Sequence, residues 1–274
     1  MEIFWYVMIF IFGAIIGSFL NVVLYRLHTG KSLDGRSHCM SCGKTLAWYE
    51  LFPIISYLSQ RGRCRGCSSY IPSRYLIVEL LTGLSYVALW YFFAYDFILL
   101  GLYFALVAIL VLILVYDIRH TIIPDELTLL VGGIAVAFLG YEAFLEKDFI
   151  LTLTHVGVGL IGAFFFWGLW FVSKGRWIGL GDAKLALPLG MIVGLGGVFS
   201  MVVLSFWIGA VISLTLLGLE RLLKRGKPTL HFLTTPLTIK SEVPFAPFLI
   251  VGFLLVQLLH ADIFEITYAL FFGS

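Results

Sequence analysis

Charged residues are scarce in this chain: they make up 12% of its 274 residues, whereas hydrophobic residues make up 61%. An ordinary soluble domain carries about 25% charged residues, so this chain has too few polar groups to cover a water-exposed surface. The scarcity of charge excludes a soluble globular protein and places the chain in a lipid bilayer. The net charge of +2 says little about partners; we expect membrane lipid around the chain and no nucleic acid.

Eight apolar segments follow one another, most of them near the roughly 20 residues that cross a bilayer. They cover residues 3–24, 75–95, 97–116, 127–145, 151–172, 183–195, 198–219 and 243–260. The sixth is short, and a ninth stretch at 263–272 is too short to cross. The first lacks a small-residue cleavage site, so we interpret it as an anchor rather than a removed signal peptide. The predicted fold class is an all-α polytopic membrane protein with about eight transmembrane helices.

The basic residues are divided unevenly between alternate loops. With eight spans, the loops at 26–74, 117–121, 173–184 and 220–242 contain 17 of the 18 Lys and Arg residues, and Lys147 is the exception. Because positive charge is retained on the cytoplasmic side, these loops are predicted to be cytosolic and both termini to lie outside.

All four cysteines lie in the first of these loops, as Cys39-x-x-Cys42 and Cys64-x-x-Cys67. Two such pairs are close to the spacing of a tetrahedral zinc site, and disulfides are disfavoured in the cytosol. Four thiolates would fill the coordination sphere of the ion, so the predicted zinc is structural. The predicted organisation is a first helix at 1–25, a cytosolic zinc module at 26–74 and a membrane core at 75–274.

Two aspartates at the cytosolic border are candidate catalytic residues, because acids beside membrane helices are costly and are often functional. Asp117 follows the third span, and Asp182 opens the sixth within Gly179-Leu180-Gly181-Asp182-Ala183-Lys184. Each also has a plain explanation: Asp117 as a solvated helix end, and Asp182 as a helix N-cap.

A carboxylate pair offers one coherent chemistry at that border. When two carboxylates share a site, the repulsion between their charges makes it unfavourable for both to ionise. One is then an ionised base that activates water, and the other is a neutral acid that polarises a carbonyl. The sequence contains no HExxH metalloprotease motif, and its cysteines are assigned to a metal. We interpret Asp125, after Pro124, as an N-cap or loop organiser. Glu79, inside the second span, is either an ion-pair partner of Arg74 or part of a second site.

The chain resembles the prepilin peptidases, or type IV leader peptidases, over nearly its whole length. The matching features are residues 17–23 (GSFLNVV), the paired CxxC motifs, the block from Asp117 to Asp125, the segment 179–185 (GLGDAKL), and 244–248 (PFAPF), where the family has PFGPF.

The resemblance implies a bacterial cytoplasmic-membrane enzyme that removes the leader of type IV prepilins and pseudopilins on the cytosolic side. Asp117 and Asp182 would be the catalytic pair, with Gly179, Gly181, Asp125 and Lys184 in supporting positions. It also implies methylation of the new N-terminus with S-adenosylmethionine, and it places Glu79 and Gly83 in the methyl-transfer block.

Three alternatives remain open from the sequence. The chain could be a peptidase without methyl transfer, another GxGD intramembrane protease of the presenilin kind, or a non-enzymatic transporter or assembly scaffold. A transporter is expected to place its acids near the bilayer midplane, whereas Asp117 and Asp182 are predicted at the border. The sequence does not indicate an oligomeric state.

Overall fold

The computed structural model describes residues 2–27, 34–223 and 244–259. Its elements, in order, are α1 (Glu2–Arg26), a 3-10 turn (Trp48–Glu50), α2 (Ile55–Ser59), α3 (Arg74–Phe93), α4 (Phe97–His120), α5 (Asp125–Glu146), α6 (Phe149–Ser173), α7 (Leu180–Leu223) and α8 (Ala246–Leu259). Two isolated β-bridges are the only extended pairings within these ranges. The predicted all-α class is therefore confirmed.

Six helices in the described part of the chain are long and apolar enough to cross a membrane: α1, α3, α4, α5, α6 and α7. This fits a polytopic membrane protein, but the count of eight spans is not confirmed. The predicted sixth and seventh spans both lie within α7, and the predicted eighth overlaps α8, which has 14 residues. The apolar stretch at 263–272 and the loop at 224–243 lie outside the described residues.

Helix α7 is interrupted at Gly194, whose backbone is non-helical with φ 72° and ψ −171°. A straight helix of its 44 residues would be about 66 Å long, about twice the bilayer core. A Cβ on Gly162 of α6 would lie 3.6 Å from the Ala186 carbonyl oxygen and 3.4 Å from Val198 Cγ2. Residues on both sides of Gly194 thus meet one point of α6, so the chain folds back there, beside the predicted boundary at 195–198.

The chain divides into two compact units, residues 1–115 and 116–274, with the boundary inside α4. The division predicted from the sequence, after residues 25 and 74, follows membrane topology and stays a prediction. In the first unit, small residues bring α1 against α3. A Cβ on Gly13 would lie 2.9 Å from Gly83 Cα, and one on Gly17 would lie 2.8 Å from Glu79 Cα. Glycines at such a crossing allow two helix backbones to approach closely.

Aromatic stacking joins α3 to α4 in the first unit. The rings of Tyr86 and Phe104 stack at 4.2 Å, and the Tyr86 hydroxyl donates to the Phe104 carbonyl oxygen at 2.9 Å. In the second unit, Phe166 of α6 and Phe206 of α7 stack at 6.2 Å, and Phe245 lies 5.0 Å from Phe206. These contacts place the residues just before α8 beside α6 and α7.

Candidate active site

Asp117 lies in the last turn of α4 and is only 4% exposed. Its carbonyl oxygen accepts a hydrogen bond of 2.7 Å from the Thr121 N–H, and Thr121, with φ 53°, ends the helix. A buried carboxylate is costly unless it is paired, so the explanation of Asp117 as a solvated helix end is wrong.

Asp182 lies in the first turn of α7 and is 5% exposed. Its Oδ2 accepts a hydrogen bond of 3.1 Å from the Gly179 N–H. This is the side-chain half of a capping box, in which the third helical residue reaches back to the N-cap backbone. Asp182 therefore caps the helix from inside its first turn instead of occupying the N-cap position.

The two aspartates belong to one buried acidic site in the second unit. They are close enough for the charge of Asp117 to act on Asp182, and the Asp117 carboxylate accepts a hydrogen bond from the Ala246 N–H. Within the described residues, Asp117 Oδ2 and Asp182 Oδ1 are buried and have no hydrogen-bond partner. Burying an oxygen without a hydrogen-bond donor costs free energy. An arrangement of this kind is typical of a site that binds water or substrate.

The residues predicted to support this pair lie around it. A Cβ on Gly181 would lie 3.0 Å from Ile123 Cβ, so the loop before α5 packs directly on the start of α7. Lys184 Nζ lies 2.6 Å from Asp125 Oδ1. Asp125 is the first residue of α5 and Pro124 is its N-cap, so Asp125 is not the cap itself. The ion pair ties α5 to α7.

The four cysteines form a second site, in the first unit, from two loops of the same shape. The Cys39 N–H donates to the Lys44 carbonyl oxygen, and the Cys64 N–H donates to that of Ser69, each at 2.9 Å. The residue after each second cysteine is left-handed: Gly43 has φ 71° and Ser68 has φ 59°. Each loop therefore turns its two thiols toward the same side.

The cysteine arrangement fits a tetrahedral metal ion. All four Sγ atoms lie within 4.8 Å of one another, and those of Cys39 and Cys67 are 3.9 Å apart. Zinc–sulfur bonds of about 2.3 Å in a tetrahedron place sulfurs about 3.8 Å apart. Hydrogen bonds from the backbone N–H groups of Cys42 and Ser41 lower the pKa of the Cys39 thiol to about 6, whereas hydrogen bonds with Cys39 and Cys67 raise the pKa of Cys42 to about 11. Cys39 is therefore the thiol most ready to form the thiolate that a metal requires.

Glu50 supports the cysteine loops from the segment between them. It is 5% exposed, its Oε2 accepts a hydrogen bond of 2.9 Å from the Ala47 N–H, and Lys44 Nζ lies 3.2 Å from its Oε1. The Ala47 hydrogen bond and the Lys44 charge lower the pKa of Glu50. Because Lys44 follows Cys42 closely, this pair links the 3-10 turn to the first cysteine loop.

The two residues predicted in the methyl-transfer block have different surroundings. Glu79 is 7% exposed, and its Oε2 accepts a hydrogen bond of 2.7 Å from the Ile54 N–H; it also lines a cavity beneath the cysteine loops. Gly83 faces the Phe10 ring, 2.8 Å from where its Cβ would lie, and is not among the residues that line the cavity. Gly83 therefore serves the packing of α1 on α3 in this structure.

Comparison with known proteins identifies the family. The type IV leader peptidase family matches residues 104–214, and the bacterial peptidase A24 N-terminal domain matches residues 11–93. A prepilin leader peptidase/N-methyltransferase of Aeromonas hydrophila is 30% identical, over 89% of this chain and 87% of its own length. The chain belongs to the type IV leader peptidase family.

Other family members carry the same name. The prepilin leader peptidase/N-methyltransferase of Vibrio cholerae is 31% identical, over 71% of this chain and 79% of its own length. That of Myxococcus xanthus is 36% identical, over 77% of this chain but only 63% of its own length. No solved structure matches the chain. The predicted family membership, and with it the assignment to an enzyme family, is confirmed.

Two residues at these sites lie in motifs of the family resemblance, but the sequence assigned no role to either. Ala246 stands where the family's PFGPF motif has glycine, yet its contact with Asp117 is made by the backbone N–H, which alanine also provides. Asn21 of α1 is 1% exposed and lines the same cavity as Glu79. A polar side chain within an apolar span was the available signal for Asn21; Ala246 carried none beyond the family motif.

Proposed function

We propose that this protein is a membrane aspartyl endopeptidase that cleaves the leader of type IV prepilins or pseudopilins. The single observation that carries the proposal is the buried pair Asp117 and Asp182, with one unpartnered carboxylate oxygen on each residue. Aspartic proteases use two carboxylates that share one proton. Both residues stand at helix ends, which favours a peptide site over a midplane transport site.

In this mechanism one carboxylate of the pair is ionised and the other is protonated. The ionised group accepts a proton from water as the water oxygen attacks the scissile carbonyl carbon, and the protonated group hydrogen-bonds the carbonyl oxygen as charge develops there. The peptide C–N bond then breaks, and the leaving amine takes a proton from the pair. The Gly179 N–H holds Asp182 in place through these steps.

The proposed substrate is inferred from the names of the relatives and from the family resemblance. A prepilin has a short basic leader followed by an apolar helix, so its helix lies in the bilayer while its leader stays in the cytosol. The basic loops of this chain support a position of Asp117 and Asp182 on the cytosolic face of a bacterial inner membrane. With eight spans, both termini would lie outside.

The protein is further proposed to methylate the new N-terminal amine. Bound S-adenosylmethionine would supply an activated methyl group, and the cavity that contains Glu79 offers buried polar groups to hold part of such a molecule. The four cysteines would hold a structural zinc ion, whose closed coordination leaves no position for catalysis. Its role is to fix the loops above that cavity.

Mass spectrometry of a synthetic prepilin peptide incubated with the purified protein tests both activities. Cleavage before the apolar segment is expected without cofactor, and a gain of one methyl group on the new N-terminus is expected only with S-adenosylmethionine. An intact substrate in both reactions would contradict the peptidase, whereas a cleaved but unmethylated product would leave a peptidase without methyl transfer.

A further inference from the structure

We propose that Asn21 and Glu79 form a binding site for an amine or ammonium group in the cavity beneath the cysteine loops. The inference rests on the proposed methyl transfer, because it concerns how that site recognises its ligands. Nothing in the sequence motifs assigns a role of this kind to Asn21.

The cavity has a volume of about 210 Å³ and lies wholly within the first unit. One wall is a face of α1 with Ser18, Asn21 and Tyr25, which recur at helical spacing. A second wall is the start of α3, with Tyr75 and Glu79. The cysteine loops, the segment between them and Arg26 at the end of α1 contribute most of the rest. The cavity is thus bounded by membrane helices on one side and by the cysteine loops on the other.

The orientation of the Asn21 amide is fixed by one hydrogen bond. Its Nδ2 donates to the Tyr75 carbonyl oxygen at 3.1 Å, so Oδ1 is the free end of the amide. Within the described residues this oxygen is buried and has no partner, while the residue is 1% exposed. A buried acceptor left unpaired is costly, and a ligand with an N–H donor would remove that cost.

Glu79 supplies negative charge to the same wall. Tyr75 and Glu79 are one helical turn apart on α3, so the residue that accepts from Asn21 lies directly beside Glu79. The Ile54 N–H and the Ser18 hydroxyl donate to this carboxylate, which can accept about four hydrogen bonds in all. Glycine at position 17 makes the arrangement possible, because a Cβ there would lie 2.8 Å from Glu79 Cα.

The chemistry of these two groups selects the ligand. An amide oxygen and a carboxylate both accept hydrogen bonds, and the carboxylate also attracts positive charge. A primary amine or ammonium satisfies both requirements. In the proposed reaction it has two sources, the new N-terminus of the cleaved peptide and the amino group of the methyl donor.

Binding measurements on the full-length protein in detergent micelles test the site. One pair of probes is a cleaved-product peptide, labelled at its C-terminus, with either a free or an acetylated N-terminus. The other pair is S-adenosylhomocysteine with either a free or an acetylated α-amino group. Asn21→Leu removes the acceptor, whereas Asn21→Gln keeps an amide that can both donate and accept, and serves as the control.

We expect Asn21→Leu to weaken an amine-bearing probe about tenfold or more, and to leave its amine-free partner unchanged. Asn21→Gln is expected to retain most of the affinity. A loss confined to the free peptide identifies the peptide N-terminus as the ligand, and a loss confined to S-adenosylhomocysteine identifies the methyl donor. The proposal would be overturned if the wild-type protein bound both members of each pair with equal affinity. It would also be overturned if Asn21→Leu lost affinity equally for the probes with and without a free amine.

Prepilin cleavage by the same preparations separates this proposal from the function on which it rests. Asn21 lies outside the aspartate site, so cleavage by Asn21→Leu at the wild-type rate shows that the variant is folded. If Asn21→Leu does not fold, Glu79→Gln is the second variant. It is expected to show the same selective loss of affinity for the amine-bearing probe, and unchanged affinity in Glu79→Gln would overturn the proposed site. A wild-type protein that binds amines selectively but cleaves nothing would contradict only the peptidase.

Discussion

Gly179 and Asp182 are joined by a hydrogen bond of 3.1 Å from the glycine N–H to the aspartate Oδ2. The other oxygen of that carboxylate, Oδ1, has no partner in the described part of the chain. One carboxylate thus completes the start of α7 with one oxygen and leaves the other for chemistry. The capping role of Asp182 is therefore compatible with its proposed catalytic role.

The close packing of Gly181 on Ile123 makes the position sensitive to a methyl group. Gly181→Ala would place a Cβ 3.0 Å from Ile123 Cβ, which forces the start of α7 to move by a few tenths of an ångström. Since small displacements of catalytic groups are costly, we expect prepilin cleavage to fall about tenfold. Gly132→Ala, where the added Cβ meets nothing within 4 Å, is the control. Equal rates for the two variants would contradict the role of this contact.

The ion pair between Lys184 and Asp125 is expected to position α5 against α7 without taking part in the reaction. Both side chains are partly exposed, at 45% and 66%, so the pair should contribute at most about 1 kcal/mol to stability. Asp125→Asn and Lys184→Met are each predicted to reduce cleavage less than about fivefold, and the double variant no further. A hundredfold loss in Asp125→Asn alone would instead make Asp125 a member of the catalytic site.

Removal of the metal is predicted to loosen the cysteine loops. The purified protein should contain one zinc ion per chain by elemental analysis. A chelator should let trypsin cleave after Arg61, Arg63 and Arg65, whose side chains are already exposed but whose backbone the folded loops hold in place, because structural zinc supplies folding free energy. Cys64→Ser, at the buried cysteine, should give the same digestion pattern, and Ser41→Ala should not. A wild-type protein without bound zinc and with protected loops would contradict the site.

The reversal of α7 at Gly194 predicts a stability difference between two nearby glycines. Gly194→Ala meets both a left-handed backbone, which costs about 1–2 kcal/mol for an ordinary residue, and His155 Nε2 at 2.9 Å. Gly196→Ala meets nothing within 4 Å. Thermal unfolding in detergent should show Gly194→Ala clearly less stable than wild type, with Gly196→Ala unaffected. Equal melting temperatures would show that the reversal does not need glycine.

The sequence predicted the helices well where apolar runs are bounded by charged or turn residues, as for α3 and α4. It predicted the cysteine cluster because CxxC spacing brings the two thiols of each pair together. The count of spans was harder: the segments around Gly194 are continuous in hydropathy, and only the backbone geometry shows how the chain turns. The eighth predicted span overlaps α8, but its apolar composition did not indicate the length of that helix.

The surroundings of the candidate catalytic residues could be predicted only in part. Asp117 and Asp182 stood out because acids near lipid are rare, but their burial and mutual influence depend on tertiary packing. The Ala246 N–H that meets Asp117 belongs to a segment distant in sequence, and a backbone donor leaves no mark in residue identity. Asn21 became notable only once its amide oxygen was found unpartnered.

The most direct test of the catalytic pair compares prepilin cleavage by wild type, Asp117→Asn and Asp182→Asn at equal protein concentration. The substitutions change charge and proton affinity with little change in size. We predict that each lowers the cleavage rate about a thousandfold or more, while the zinc content stays at the wild-type value. Near-wild-type cleavage by either variant would contradict the central claim.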